Sequence, residues 1–310
     1  MRETAVVIST YNGEKYIAEQ LDSILGQSYQ DMDIFIYDDG SSDDTLQILQ
    51  QYEDKYESIH IVESGKRLGY PQCFIELLRQ VEGYRFYAFS DQDDVWNEDK
   101  LEIAVSVLRK VKKNVPLLYY TAVDYCDSEL NYIRPSRFAG GRTEIRRIPF
   151  QALLFGGEAM GMTYVFNNMS REALLKANDT ETFKDWFMKL YCAAYGGVFY
   201  NPVPSAKYRR HDMAVTNESN PAGGLSRLFA QASDVLIAKD GMRTQKKVIR
   251  YILDHCDINL MREKDRELIL LFSEPNSFKK KMKKVFWKRR FRRRLPDEIG
   301  YRIAFLLGRI

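Results

Sequence analysis

The sequence predicts an α/β protein: a mostly parallel sheet with helices on both faces, then a helical, basic extension. Three observations carry this. Short β-branched or aromatic runs recur through the first 125 residues, each followed by apolar residues at helical spacing. The runs are nearly continuous in apolar residues, as strands buried on both faces are. Acidic, turn-rich clusters follow the first, second and fourth runs, where an open parallel sheet binds its ligands.

Ala5, Val6, Val7 and Ile8 form the first strand, and residues 14–25 place Tyr16, Ile17, Leu21, Ile24 and Leu25 on one helical face. Residues 34–37 are the second strand and 43–56 a helix; 59–62 are the third strand and 71–81 a helix. Residues 86–89 are the fourth strand, 97–112 a helix and 117–125 a long strand. The rhythm is less regular over 129–211. There Gly-rich 155–157 precedes an apolar strand at 160–166, a helix spans 184–195, and 198–208 is extended and punctuated by proline. After Gly223 and Gly224 the chain reads as helices.

Composition sets the limits. With 45% hydrophobic residues in 310, the chain is too apolar for disorder and long enough to bury roughly 75% of its unfolded surface. There is no apolar run of about 18 residues for a spanning helix, and the first strand begins too early for a signal peptide. Cys73, Cys126, Cys192 and Cys256 are widely separated, which fits reduced cytosolic thiols rather than a disulfide framework or a zinc site. The net charge of +3 hides an asymmetry: positions 279–294 hold eleven basic residues and no acidic one, residues 279–310 carry +11, and the body carries −8.

The clusters hold the candidate chemistry. After strand one come Thr10, Tyr11, Asn12 and Gly13; Tyr11 offers a flat face for a nucleobase, or closes the strand end. After strand two, Asp39 is placed to accept from a base N–H or a ribose hydroxyl, or is a turn former beside Asp38. After strand four, Asp91 and Asp93 stand two residues apart on a tight turn, where two carboxylates can bracket a hard divalent cation and a ribose or favour the next helix's N-terminus. An acidic site can hold a diphosphate only with a cation between them. A GxGxxG loop, needed for a dinucleotide dehydrogenase, is absent after strand one, as is the Gly-rich, Arg-containing loop of a nucleotidyltransferase.

The order Ser-Thr-Tyr-Asn-Gly, Asp-Asp-Gly-Ser-Ser-Asp-Asp-Thr, Ser-Asp-Gln-Asp-Asp-Val-Trp resembles the family 2 inverting glycosyltransferases, over about residues 4–211. With the later Lys-Asp-Trp-Phe and Tyr-Arg-Arg-His, it is most similar to the rhamnosyltransferase-type branch of bacterial surface polysaccharide synthesis. The resemblance implies the GT-A fold over residues 1–211, with a nucleotide-sugar half (1–127) and an acceptor half (128–211) before an extension at 212–310. It implies that Thr10, Tyr11 and Asp39 hold the base end of the donor, that Asp91 lies near the ribose, and that Asp93 and His211 bind Mg²⁺ or Mn²⁺. It implies Asp185 as catalytic base, and Arg209 or Arg210 as diphosphate clamp. Arg67, where relatives often carry Asn, is a candidate phosphate contact, and the loop at 155–158 resembles an acceptor-side loop. The implied donor is dTDP-L-rhamnose, or a UDP-sugar in another branch, and the acceptor a saccharide, often lipid-linked. A non-catalytic nucleotide-sugar-binding scaffold at the membrane is the rival class.

The basic segment interleaves its charges with Phe286, Trp287 and Phe291, and its apolar stripe is broken, as in two short helices. It suits an anionic membrane surface, each basic residue contributing about 1 kcal/mol there; a merely solvated run is the alternative. Nucleic acid is not an expected partner, for no recognised module accompanies the charge. The enzyme is thus expected in the cytoplasm, peripherally associated with the inner face of the cell membrane through 278–310, a tail whose removal at Phe278 leaves donor binding intact.

Overall fold

A computed structural model describes residues 2–62, 67–111, 114–136, 143–154, 160–177, 184–210, 243–273, 277–288, 290–291 and 295–308. Its strands are β1 (Thr4–Thr10), β2 (Met32–Asp38), β3 (Ile59–Val62), β4 (Phe86–Ser90), β5 (Val95–Trp96), β6 (Leu117–Cys126), β7 (Tyr132–Pro135), β8 (Arg146–Arg147), β9 (Val165–Asn167) and β10 (Gly197–Arg209). They form one sheet in the order β3-β2-β1-β4-β9-β6-β10-β5, with β7 beside β6 and β8 beside β10. The longer strands pair in parallel, β3 with β2, β2 with β1, β1 with β4, and β6 with β10. Short β9 runs antiparallel to both β4 and β6 and joins the two parallel blocks.

The helices are α1 (Ile17–Leu25), α2 (Thr45–Lys55), α3 (Gln72–Gln80), α4 (Lys100–Arg109), α5 (Phe150–Leu154), α6 (Asn168–Ala177), α7 (Lys184–Tyr195), α8 (Arg243–His255), α9 (Glu263–Phe272), α10 (Phe278–Val285) and α11 (Leu295–Leu306). Alternation along β1 sends Val6 and Ile8 into a core shared with α1, α2 and α4. Ala5 and Val7 enter the opposite core, shared with α3, α5, α6 and α7. This second core continues through Ile252, Leu268 and Phe272 to Phe291, Tyr301 and Phe305. The extension is therefore sealed to the sheet's own core.

Two local expectations give way. The strand at 160–166 is instead a 3₁₀ turn, Gly161–Thr163, followed by β9. The amides of Thr163 and Tyr164 donate to the carbonyls of Met160 and Gly161, at 2.9 Å each, which closes the turn before the chain can extend. Helix α6 was not foreseen; Asn167 Oδ1 receives the Ser170 amide and hydroxyl at 3.2 and 3.0 Å and so caps it.

Register places the site. Thr10 lies opposite Asp38, and Ile8 opposite Ser90. The chain that follows each of β1, β2 and β4 therefore leaves the sheet at the same edge.

Candidate active site

Side-chain bonds fasten the three clusters together. The Thr10 hydroxyl donates to buried Asp38 Oδ2 at 2.8 Å, and Asp38 Oδ1 accepts the Gly40 and Ser41 amides. Asp38 is thus consumed by its own turn. Asn12, at φ 48°, receives the Ser42 amide on Oδ1 and gives its amide to Ser41 Oγ. Gln92 works like a strand partner: its Oε1 accepts the Tyr11 amide at 2.8 Å and its Nε2 donates to the Tyr11 carbonyl at 3.0 Å. Gly13 permits this, since a Cβ there would lie 2.4 Å from Gln92 Oε1.

Asp39 is nearly buried and brackets a loop. Its two oxygens accept the amides of Leu68 (2.6 Å) and Gly69 (2.8 Å). The loop so held carries Arg67, whose guanidinium lies 4.0 Å from the centre of the half-open Tyr11 ring, and Tyr70, whose hydroxyl makes a long bond of 3.4 Å to Asp185 Oδ2. One short segment touches both the nucleotide-side and the base-side candidates, and sequence reasoning did not single out Tyr70. Desolvation, then the charges of Asp185 and Asp91, push the Tyr70 hydroxyl well above its usual pKa. Tyr70 therefore feels the charges of both Asp185 and Asp91.

Asp185 sits in the first turn of α7. Its Oδ1 is buried with no hydrogen-bond partner. Gly161 backs onto it, for a Cβ on Gly161 would lie 2.6 Å from Oδ1. Lys189, one turn on, is buried with its ammonium 3.9 Å from the Trp186 ring centre. Burial pulls its pKa down to about 8, while the Asp185 charge opposes the fall.

Asp91 and Asp93 are half-buried on the turn between β4 and β5. Asp94, fully buried, receives the Arg209 amide on Oδ1 at 3.1 Å and leaves Oδ2 without a partner. Burial, then the charges of Asp93 and Asp91, raise its pKa well above the usual carboxylate range. Beneath it, buried Lys100 donates to the Met162 carbonyl at 2.7 Å and stands 3.6 Å from the Trp96 ring centre. Burial lowers its pKa well below normal, against Asp94 and Asp91. Lys100 ties the carboxylate turn to the Gly161 turn behind Asp185. Its signal in the sequence was a lysine on the apolar side of a helix, next to Leu101.

Arg209 and Arg210 separate as strand neighbours must. The Arg209 guanidinium is buried; Nε donates to the Asp93 carbonyl at 2.9 Å, and its other nitrogens reach the Ser128 carbonyl and Glu19. Arg210 is half-buried and gives its amide to the Cys126 carbonyl. His211 and the 155–158 loop lie outside the described residues. Among the described residues, no three His, Cys, Asp or Glu are grouped to hold a metal ion. The hard oxygens of Asp91 and Asp93 nevertheless suit a divalent cation. Such an ion would meet the carboxylates of Asp91, Asp93 and Asp94 gathered on one turn.

A parallel sheet whose strand ends gather carboxylates opposite a helix-borne carboxylate is the frame of a sugar-nucleotide enzyme, and the sequence comparisons name the class. Residues 5–176 match the model of glycosyl transferase family 2. The chain belongs to that family and is a glycosyltransferase. It is 30% identical over 223 residues to the dTDP-rhamnosyl transferase RfbG of Shigella flexneri, covering 66% of this chain and 72% of that one. It is 40% identical over 98 residues to TuaG of Bacillus subtilis (strain 168), a glycosyltransferase provisionally assigned to teichuronic acid biosynthesis. There the match covers 32% of this chain and 38% of TuaG. The fold is similar to that of S. aureus TarS crystallised with UDP, at a TM-score of 0.54 and 19% identity, covering 87% of this chain and 70% of that one.

Proposed function

We propose that the protein transfers a sugar, with inversion, from a nucleoside diphosphate donor to a saccharide acceptor in surface polysaccharide synthesis, and that dTDP-L-rhamnose is the donor. The observation that carries the chemistry is Asp185 Oδ1, a buried carboxylate oxygen with no partner beside a tyrosine that also senses Asp91. Such an atom has acceptor capacity to spare, which a hydroxyl that reaches it would fill. The similarity to RfbG, whose name specifies dTDP-rhamnose, supports the sugar.

In this reading Tyr11 and Arg67 line the base end, and Asp39 holds Arg67 in place through the Leu68 and Gly69 amides. Lone pairs on the Asp39 carboxylate not used by the loop remain for the base or ribose. Asp91 takes the ribose. Asp93, with His211, is the candidate ligand set for Mg²⁺ or Mn²⁺; when bound, that ion stabilises charge on the departing diphosphate. Arg210 takes the clamp, because Arg209 is spent on Glu19, Ser128 and Asp93. Asp185 removes the proton from the acceptor hydroxyl as its oxygen forms the new bond to the anomeric carbon. The bond from that carbon to the diphosphate breaks on the opposite side, so the configuration inverts. Tyr70 and Lys189 orient Asp185.

The test pairs a thermal-shift panel with a transfer assay. With Mn²⁺, dTDP-rhamnose is expected to raise the melting temperature more than UDP- or GDP-sugars. Asp185→Asn should keep that shift while transfer falls by about 10²–10⁴-fold. A larger shift with a UDP-sugar would replace the donor, and normal turnover by the variant would remove Asp185 as base.

A further inference from the structure

Six of the fifteen large apolar residues that stand exposed among the described residues lie between positions 278 and 307. Helix α11 buries Tyr301, Ala304 and Phe305. On its opposite side it carries Ile299, Ile303 and Leu306, with Leu307 just beyond; at 100° per residue these four fall within an arc of about 100°. Helix α10 buries Lys284 against Phe272, at 4.5 Å from the ring centre, and turns Phe278 and the following Phe286 outward. These six side chains are between 44% and 76% exposed. They are held outward, because each helix is fixed from behind by buried residues.

Cations border this face. Lys279, Lys288 and Arg290 are exposed, as is Lys283, whose ammonium pairs with Glu267 at 2.6 Å. Lys281 reaches the end of α11, where a Cβ on Gly308 would lie 2.3 Å from its Nζ. Positions 279–294 contain no acidic residue. Protruding aliphatic and aromatic groups rimmed by ammonium and guanidinium groups match a boundary that is apolar below and anionic above. A second copy would set +11 against +11. A nucleic acid would meet the cations but leave the aliphatic stripe in water.

We propose that this face of α10 and α11 docks on an anionic lipid bilayer, with Ile299, Ile303, Leu306 and Leu307 entering the acyl boundary and the lysines at headgroup depth. The segment is also fastened to the enzyme body, since Gln151 Nε2 on α5 donates to the Arg290 carbonyl at 2.9 Å. Helix α5 leads directly into residues 155–158. The proposal does not depend on the donor or on the base.

The test is flotation of the full chain with phosphatidylcholine vesicles and with vesicles containing about 30% phosphatidylglycerol. The bound fraction should be about tenfold higher on the anionic vesicles and fall in about 0.5 M NaCl. The triple variant Ile303→Asp, Leu306→Asp, Leu307→Asp and the double variant Lys279→Glu, Lys288→Glu should each lower binding about tenfold, with the nucleotide-induced thermal shift retained. If the triple variant fails to fold, the double variant still decides. Equal flotation on neutral vesicles, none on either, or unchanged flotation of a folded variant would overturn the proposal. So would a concentration-dependent dimer that the triple variant abolishes without any vesicle binding. None of these outcomes touches the transfer chemistry, which is read separately.

Discussion

Asp185 is supported from three directions: Tyr70 from the loop, Gly161 from behind, and Lys189 from the next turn of its own helix. Lys189 sets a pH dependence. Unfolded, it holds its proton to 10.5; folded, to about 8. Between these values the unfolded chain binds more protons, so stability should rise as pH climbs from about 8 to about 10. Lys189→Met should remove that rise and stabilise the fold near neutrality by about 1–3 kcal/mol, as read by urea unfolding at several pH values. The same change takes a positive charge from beside the carboxylate, so kcat should fall as stability grows. A variant that gained neither stability nor a flat pH profile would show that Lys189 is not strained by burial. The place of Asp185 in the first turn of a helix was legible in the sequence. Tyr70 was not, because its approach to Asp185 depends on a loop course fixed by Asp39, and nothing local to residues 67–70 encodes that.

At the level of elements, the end of β10 and the residue after it do two jobs. Arg209 braces the carboxylate turn from within, through the Asp93 carbonyl, the Ser128 carbonyl and Glu19. Arg209→Ala would strand these acceptors and should cost about 2–4 kcal/mol. Arg210→Ala should leave stability within about 0.5 kcal/mol while raising the donor KM about tenfold. Chemical unfolding and steady-state kinetics on the two variants separate brace from clamp; a stable Arg209→Ala with a raised donor KM would reverse the assignment. The long strands and the first four helices were legible because their apolar periodicity is local. β5, β7 and β8 have two to four residues each and exist only through their partners, so no run in the sequence marks them, and the run at 160–166 marks β9 only by its last two apolar residues.

For the molecule as a whole, the tail cannot be subtracted. Phe291 and Phe305 lie 5.9 and 5.5 Å from the Phe272 ring and 5.3 Å from each other, within the core that also holds Ala5 and Val7. A cut at Phe278 would therefore bare Phe272 rather than leave the catalytic body untouched. Phe305→Ala alone should destabilise by about 3–5 kcal/mol, lowering the melting temperature of the whole chain in one transition. A separate early transition, with the nucleotide-binding part melting unchanged, would mean the extension folds by itself. Charge patterning made the tail's chemistry legible; its integration was hidden, because the aromatic residues that anchor it sit among the cations.

The brace between Glu19 and Arg209 spans 190 residues. Such a pair closes only after everything between has been made and has found its place. Residues 2–90 can lay down β3, β2, β1 and β4 side by side, and the carboxylate turn follows β4 directly. That turn is tightened only when β10 arrives beside β6. Competence thus comes late in assembly: a chain whose first half is already folded still lacks the strut on which its own Asp93 rests.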